Sequence, residues 1–338
     1  MTTIKDIAKK LGVSITTVSR ALNGYSDVSE ATKRKVLQAA EELCYRPNIA
    51  ARSLVVKKTR TIGIIVSEIS RSGAKDAFVF EVLCGINDRA GELGYDLVLF
   101  STNPKKHMAK SYSDLCRERG VDGAIIMGIK LNDPYLEEVV TGNIPCVLID
   151  ITMMGTNVGY VSTDNTEGAR KAVQYLIDQG HRQIGMINGY LHADVSVKRL
   201  DGYKKALESS DIPYRADMVE DGDFTEEGGL AAAYRLLVKN PQLTAIFCSS
   251  DIMAIGAMKA MEQVGKKVPE DISIIGYDNI FVSEYTSPKL TTVHQDKYEM
   301  GYQSAQLLID MLEERARNKH VILDTYLQIR ESVKPPGL

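Results

Sequence analysis

The chain has 338 residues, 44% of them hydrophobic and 25% charged, and a net charge of −3. That is the make-up of a globular protein with room for two or three domains and large buried cores. With no apolar run of about 18 residues and no apolar signal region at the start, neither a membrane helix nor export is expected, and the cytoplasm is the expected compartment.

The charge is unevenly spread. Residues 1–60 hold 12 Lys and Arg against 5 Asp and Glu, a local charge of +7, which leaves −10 over residues 61–338. A basic head on an acidic body fits a chain whose first domain alone meets a polyanion. The head opens with apolar or small residues at Ile4, Ile7, Ala8 and Leu11, then at Val13, Val18, Ala21 and Leu22, helical spacing broken once around Gly12. Gly12 suits the positive φ of a tight corner, and Ser14 suits the cap of the second helix. The pattern predicts a helix-turn-helix, with 15–23 as the helix offered to the major groove. A third helix follows Ser29, with Val36, Leu37, Ala40 and Leu43 as its apolar face, and Tyr45-Arg46-Pro47 stops it.

Asn48 could cap a helix over 49–54. Two turns fall well short of the roughly 12–15 residues that a helix needs to be even marginal in water, so this segment should fold only when something stabilises it. Residues 55–60 read as a linker. The expected division is a head at 1–46, a hinge and linker at 47–60 and a body at 61–332.

From Thr61 the pattern becomes strand then helix. Strands are expected at 62–66, 95–101, 123–127 and 144–150, with helices at 79–93 and 106–119. A second series begins near Val161, with helices at 166–179, 197–208, 226–238 and 251–264 and strands at 183–188, 245–249 and 272–276. The strand runs are continuously apolar, as in parallel sheets covered on both faces. Two doubly wound α/β subdomains follow: a first of about 61–161 plus 293–320, and a second of about 162–292 plus 321–332. Residues 291–293 and 321–328, around a helix at 298–312, read as returns of the chain across both halves.

Ligands in such sheets bind outside the carboxyl ends of the strands. Ser67-Glu68, Asp150, Asn188, Ser250-Asp251 and Asp278 stand there, with Arg199 nearby and Phe78 or Phe224 available to cover an apolar face. Singly, each is as well explained by a cap or an interface ion pair. Together they predict a pocket for a small polyol, whose hydroxyls carboxylates and a guanidinium satisfy in pairs.

Cys44, Cys84, Cys116, Cys146 and Cys248 lie far apart, with no histidine at metal-ligand spacing, so buried free thiols are expected, with no metal and no cofactor. His181 and His294 read as structural. There is no P-loop, no G-x-G-x-x-G and no nucleophile elbow, which argues against an enzyme.

Residues 2–61 closely resemble the DNA-binding head of the LacI/GalR family of bacterial transcription regulators, through TIKDIAKKLGVSITTVSRALNG, VSEATKRKVLQAAEELCYRPN and AARSL. The likeness continues to about residue 332 through DGAII, STDNTEGARKAV, GHRQIGMING, KRLDGYKKAL, SSDIMAIGAM, ISIIGYDN and LTTVHQD. It implies an all-α head joined to a body resembling periplasmic sugar-binding proteins, and a homodimer reading a palindromic operator. It also implies that Ile15, Thr16 and Arg20 reach base edges, and that Thr3, Ser14, Thr17, Ser19, Asn23, Ser29, Thr32, Tyr45 and Asn48 contact phosphate. Residues 48–54 resemble the family's hinge helix, with Ala51 and Leu54 at the minor groove and Leu54 as a wedge.

In the body, Arg199, Asp278, Asp150 and Phe224 fall on pocket positions. Ser250 stands where some sugar-binding members have asparagine, and Lys297 where some have an aromatic. The loop at 70–75 adds Arg71 and Lys75 near the pocket mouth. The implied regulator answers to a sugar or sugar phosphate, with a purine or nucleoside as the alternative and a transport protein or sugar-modifying enzyme as lesser rivals. The closing ESVKPPGL has no apolar heptads, so a dimer rather than a tetramer is expected.

Overall fold

Three short helices build the head, and their ends explain their lengths. Helix α1 (Ile4–Leu11) begins where the Thr3 amide and hydroxyl both donate to Asp6 Oδ2 at 2.8 Å, a reciprocal box that satisfies otherwise orphaned donors. Those bonds hold the Asp6 carboxyl below its ordinary pKa. Gly12 ends α1 at φ +66°, the left-handed corner that a side chain would strain. Helix α2 (Ile15–Leu22) starts at Ser14, whose Oγ accepts the Thr17 amide at 3.0 Å, and α3 (Glu30–Glu42) starts at Ser29, which accepts the Thr32 amide at 3.3 Å. Ile7, Ala8, Val18, Ala21, Val28, Val36, Ala39 and Ala40 close the core. Leu37, expected inside, is exposed and Ala39 takes its place, because 36, 39, 40 and 43 share one face at helical pitch.

The structure is a computed structural model that describes residues 2–23, 25–45, 58–66, 75–100 and 110–336, and it divides into two compact units, Met1–Thr59 and Arg60–Leu338. Asn48, Ala51, Leu54, the expected hinge helix, Ser67-Glu68, Arg71 and residues 106–109 of the helix expected at 106–119 lie outside the described residues, and the described helix begins only at Tyr112, capped by Ser111.

The second unit holds two sheets of six strands. The first contains β1 (Thr61–Val66), β2 (Asp96–Phe100), β3 (Gly123–Met127), β4 (Cys146–Ile149), β5 (Val158–Thr163) and β11 (His320–Leu323), in the order β11-β5-β4-β3-β1-β2 and all parallel. The second contains β6 (Ile184–Asn188), β7 (Val219–Asp221), β8 (Ala245–Cys248), β9 (Ser273–Asp278), β10 (Thr291–Gln295) and β12 (Thr325–Gln328). Its order is β12-β10-β9-β8-β6-β7, with only β12 antiparallel.

Alternation along the strands feeds two cores per sheet. Ile62, Ile64, Ile125, Met127, Val147 and Ile149 face one side of the first sheet, where α4 (Lys75–Glu92) and α11 (Lys297–Leu312) pack; Ile65, Ala124, Ile126, Cys146 and Leu148 face the other, toward α5 (Tyr112–Arg119) and α6 (Leu136–Thr141). In the second sheet Ala245, Phe247, Ile275 and Tyr277 face α7 (Asn165–Asp178) and α8 (Asp194–Glu208), while Ile246, Cys248 and Ile274 face α9 (Glu226–Lys239) and α10 (Asp251–Gln263). Helices α4 and α11 cross closely because Gly85 and Gly301 each lie against the other helix's backbone.

The chain passes between lobes at Asp164, Asp296 and Asp324, and two expected boundaries move accordingly. Strand β10, expected to join the first lobe from residue 293, lies wholly in the second sheet, and residues 321–323, expected in the second lobe, belong to β11 of the first. The expected single return at 321–328 is two strands split at Asp324, one for each sheet. Helix α8 begins at Asp194, three residues before its expected start, so Arg199 sits in its second turn rather than at its beginning. Cys116, Cys146 and Cys248 are buried free thiols; Cys84 is half-buried and Cys44 exposed, against expectation.

Candidate functional site

On the head, α2 turns Val18 and Ala21 inward and leaves Ile15, Thr16 and Arg20 exposed on one outer face. Ile15 keeps 43% of its surface exposed, an apolar side chain offered to solvent on a basic domain. Thr3, Ser14 and Ser29 are exposed; Thr17, Ser19, Asn23, Thr32 and Tyr45 are half-buried. Ser14 and Ser29 stand at helix N-termini, where backbone amides and the helix dipole favour a phosphate. Asn23 donates to Ser19 O at 2.8 Å.

Two residues outside the sequence reading engage Arg20. Its Nε donates to Asp27 Oδ1 at 3.1 Å, its Nη2 lies 2.6 Å from Asp27 Oδ2, and its Cζ lies 5.0 Å from the Tyr25 ring centre.

In the body, a cavity of about 470 Å³ lies between the lobes, within the roughly 300–1,000 Å³ usual for small-molecule sites. Phe78, Asp150, Arg199, Phe224, Ser250 and Asp278 all line it. Asn188 does not; its amide donates to Ser196 O at 3.1 Å and helps to place α8. Asp251 is fully buried behind Ser250, accepting the Thr292 hydroxyl at 2.5 Å and the Ile280 amide at 2.8 Å. Burial and the neighbouring Asp278 carboxyl push its pKa up to about 8.

Arg199 is the electrostatic centre. It is 3% exposed, donates from Nε to Asn165 Oδ1 at 2.8 Å and from Nη1 to Ser249 O at 2.5 Å, stacks 3.7 Å from the Tyr277 ring centre and lies 3.6 Å from Asp278 Oδ1. Asp278 ends β9 at φ +106° and accepts from Gln295 at 2.6 Å. Burial raises it to about 6, against the pull of Arg199 and Lys297. Asp150 directly follows β4 at φ +60° and accepts the Ser162 hydroxyl at 2.8 Å; burial raises its pKa too, opposed first by Arg199. Lys297 lies beneath the site, 2% exposed, donating across the lobes to Asp278 O and Asn279 O and lying 3.5 Å from Glu81 within its own lobe. Phe224 packs edge-on to Tyr190, 5.3 Å between centres, over Gly189, where any side chain would overlap its ring.

The sequence reading missed Lys130, Asp133 and Tyr135 after β3, Tyr190 after β6, and Tyr112 on α5, all of which line the cavity. The strand-end rule reaches Lys130 and Tyr190, just past β3 and β6, but not Asp133 and Tyr135 farther along the loop. Tyr112 donates to Asp133 at 2.9 Å, and the Lys130 ammonium lies 4.7 Å from the Tyr190 ring centre. The lobes meet at the rim: the Thr152 amide and hydroxyl both donate to Asp194 Oδ2 at 2.9 Å, Lys198 donates to Thr152 Oγ1 at 2.6 Å, and the Leu131 amide donates to His192 O at 2.7 Å.

His181 bridges Thr244 and Lys334 O, and His294 pairs with Asn279 and stacks on Tyr326, so both hold local structure. Among the described residues no helix is long and apolar enough to cross a membrane.

Residues 3–48 match the family model described as bacterial regulatory proteins, lacI family, and residues 173–333 match the periplasmic binding protein-like domain. The chain is 36% identical over 337 residues to the HTH-type transcriptional repressor PurR of Histophilus somni, with 99% of each chain covered. Among solved structures, the transcriptional regulator CelR in complex with cellobiose is 32% identical, with a TM-score of 0.76 over 98% of this chain and 100% of that one. The Lac repressor dimer bound to operator and the anti-inducer ONPF is 28% identical, with a TM-score of 0.79 over 98% of this chain and 99% of that one. These relatives are regulators, not enzymes.

Proposed function

This chain belongs to the lacI family of bacterial regulatory proteins, DNA-binding regulators of transcription, and from that membership we propose a cytoplasmic homodimeric repressor controlled by a neutral sugar held between its lobes. The observation that carries the sugar reading is the composition of the cavity. Asp150, Arg199, Ser250 and Asp278 gather at one end, where they can pair with ring hydroxyls, and Phe78, Tyr190 and Phe224 offer apolar faces. The described lining holds Asp133, Asp150, Asp194 and Asp278 against Lys130 and Arg199, an excess of acid that favours a neutral ligand over a sugar phosphate.

The cavity is roomy enough for a disaccharide. The genes controlled would then be those for using that sugar. Ile15, Thr16 and Arg20 read bases in this proposal, the hydroxyls and amides named for the head hold phosphates, and Ala51 and Leu54 take the minor groove.

A purine or nucleoside is the second reading, favoured by the names of the repressors to which the chain is 36% identical and by aromatic walls suited to stacking. Calorimetry on the full-length protein separates the two: titrate neutral mono- and disaccharides, their phosphates, purine bases and nucleosides. Heat from a neutral sugar, lost in Arg199→Met, is the expected result. Binding of a purine alone overturns the sugar reading.

A further inference from the structure

Asp27 is an exposed carboxylate on the outer side of a head that carries a local charge of +7 over residues 1–60. An acid beside a DNA-reading helix repels the phosphates that the rest of the head attracts. Its pair with Arg20 is no stability device: the two side chains are 45% and 52% exposed, and exposed pairs of this kind contribute little to folding. The geometry of the pair matters more than its strength. Asp27 grips the guanidinium side-on, taking the Nε hydrogen at 3.1 Å and lying 2.6 Å from Nη2.

A guanidinium has five N–H donors in a rigid plane. With the side edge occupied, the Nη1 hydrogen and the remaining Nη2 hydrogen form the end edge, two parallel donors spaced for O6 and N7 of guanine. Adenine offers a donor in place of O6 and is refused by that edge. Tyr25 closes the arrangement: its ring lies 5.0 Å from Arg20 Cζ, and its amide donates to Arg20 O at 3.1 Å, tying the turn to the last turn of α2. An arginine otherwise free to sample many rotamers is biased toward this one before DNA arrives.

We infer that Asp27 is a positioning residue for base recognition, holding Arg20 side-on so that its free edge selects guanine at one position of each half-site. The inference rests on the reading of Arg20 as a base contact.

The test is selection by the full-length protein from a randomised palindromic duplex library, followed by competition titrations that score each position. The wild type should enrich guanine at one symmetric position, and Arg20→Ala should erase that preference and leave others in place. Asp27→Asn should lower discrimination of guanine from adenine at that position about ten-fold, leave the other positions unchanged and raise affinity for unselected duplex, since a negative charge is gone. Asp27→Glu should restore part of the discrimination. A shared melting temperature shows that the head stays folded.

Full guanine preference in Asp27→Asn overturns the inference and leaves Asp27 a repulsive bystander. If Arg20→Ala keeps every preference while Asp27→Asn loses one, the route through Arg20 is wrong. If neither loses any, the reading of Arg20 as a base contact falls as well.

Discussion

Replacing Arg199 with methionine keeps most of the side-chain volume and removes only the charged fork. Asn165 Oδ1 and Ser249 O then lose donors at 2.8 and 2.5 Å, and Asp278 and Asp150 lose the cation that opposes their desolvation. Each orphaned buried acceptor costs about 1–3 kcal/mol, and removing one partner of a buried pair costs about 3–5 kcal/mol in all. The carboxylates limit the loss because they can take up protons. Asp278 stands at about 6 with the arginine present, so without it the value must rise further. A carboxyl whose folded value lies above its unfolded value favours folding at low pH and loses that contribution as pH rises through the folded value. The variant's deficit should therefore shrink as pH falls from 8 toward 6, by up to about 1.4 kcal/mol per pH unit for each carboxyl. Urea unfolding of the full-length protein at pH 8 and pH 5.5 should show a deficit of about 3–4 kcal/mol at pH 8, roughly 2 kcal/mol smaller at pH 5.5. A deficit below about 1 kcal/mol, or one equal at both values, refutes the account of Arg199 as counter-charge.

Gly85→Ala places a methyl on the backbone of Tyr298 and Tyr302, forcing α4 and α11 apart; a loss of about 2–3 kcal/mol is expected by chemical unfolding, and an unchanged midpoint would show that the crossing is loose. Gly12→Ala meets no atom within 4 Å, so only the left-handed backbone resists it, at about 1 kcal/mol, measurable as a lowered melting temperature of the head. Asp251→Asn removes a carboxyl held at about 8. Relative to the variant, the wild type should lose stability between about pH 4 and pH 8, and parallel stability curves would count against a titrating Asp251. Phe224→Ala should weaken binding of the cognate small molecule about ten-fold by calorimetry while leaving operator affinity in its absence unchanged.

The head was readable because its signals are local: a glycine at a corner, serines at two caps and apolar residues at helical pitch. Leu37 was misplaced because apolar character alone does not set the phase of a helix, which the buried positions at 36, 39 and 40 do. The parallel sheets announced themselves in unbroken apolar runs, but Thr291–Gln295 and His320–Leu323 did not say which sheet they joined. That depends on pairing with strands over a hundred residues away for β11, and no local pattern encodes it. In the cleft, Asp150, Arg199, Ser250, Asp278 and the two phenylalanines were legible from strand ends and from resemblance. Tyr112 was not, because it reaches the cavity from a helix start. Asp27 was hidden for a different reason: a lone acid in a basic domain looks like a turn residue until its distance from Arg20 is known.

The triple passage between lobes has a consequence for synthesis. Each sheet waits for an edge strand drawn from residues 320–328, and the first also waits for the helix Lys297–Leu312 that covers one of its faces. A ribosome that has made nine-tenths of the chain has therefore finished neither lobe, and a break in the message before codon 320 yields two open sheets rather than one intact half. Shortened products would carry a head whose core is already closed by residue 45 on a body whose sheets are both open.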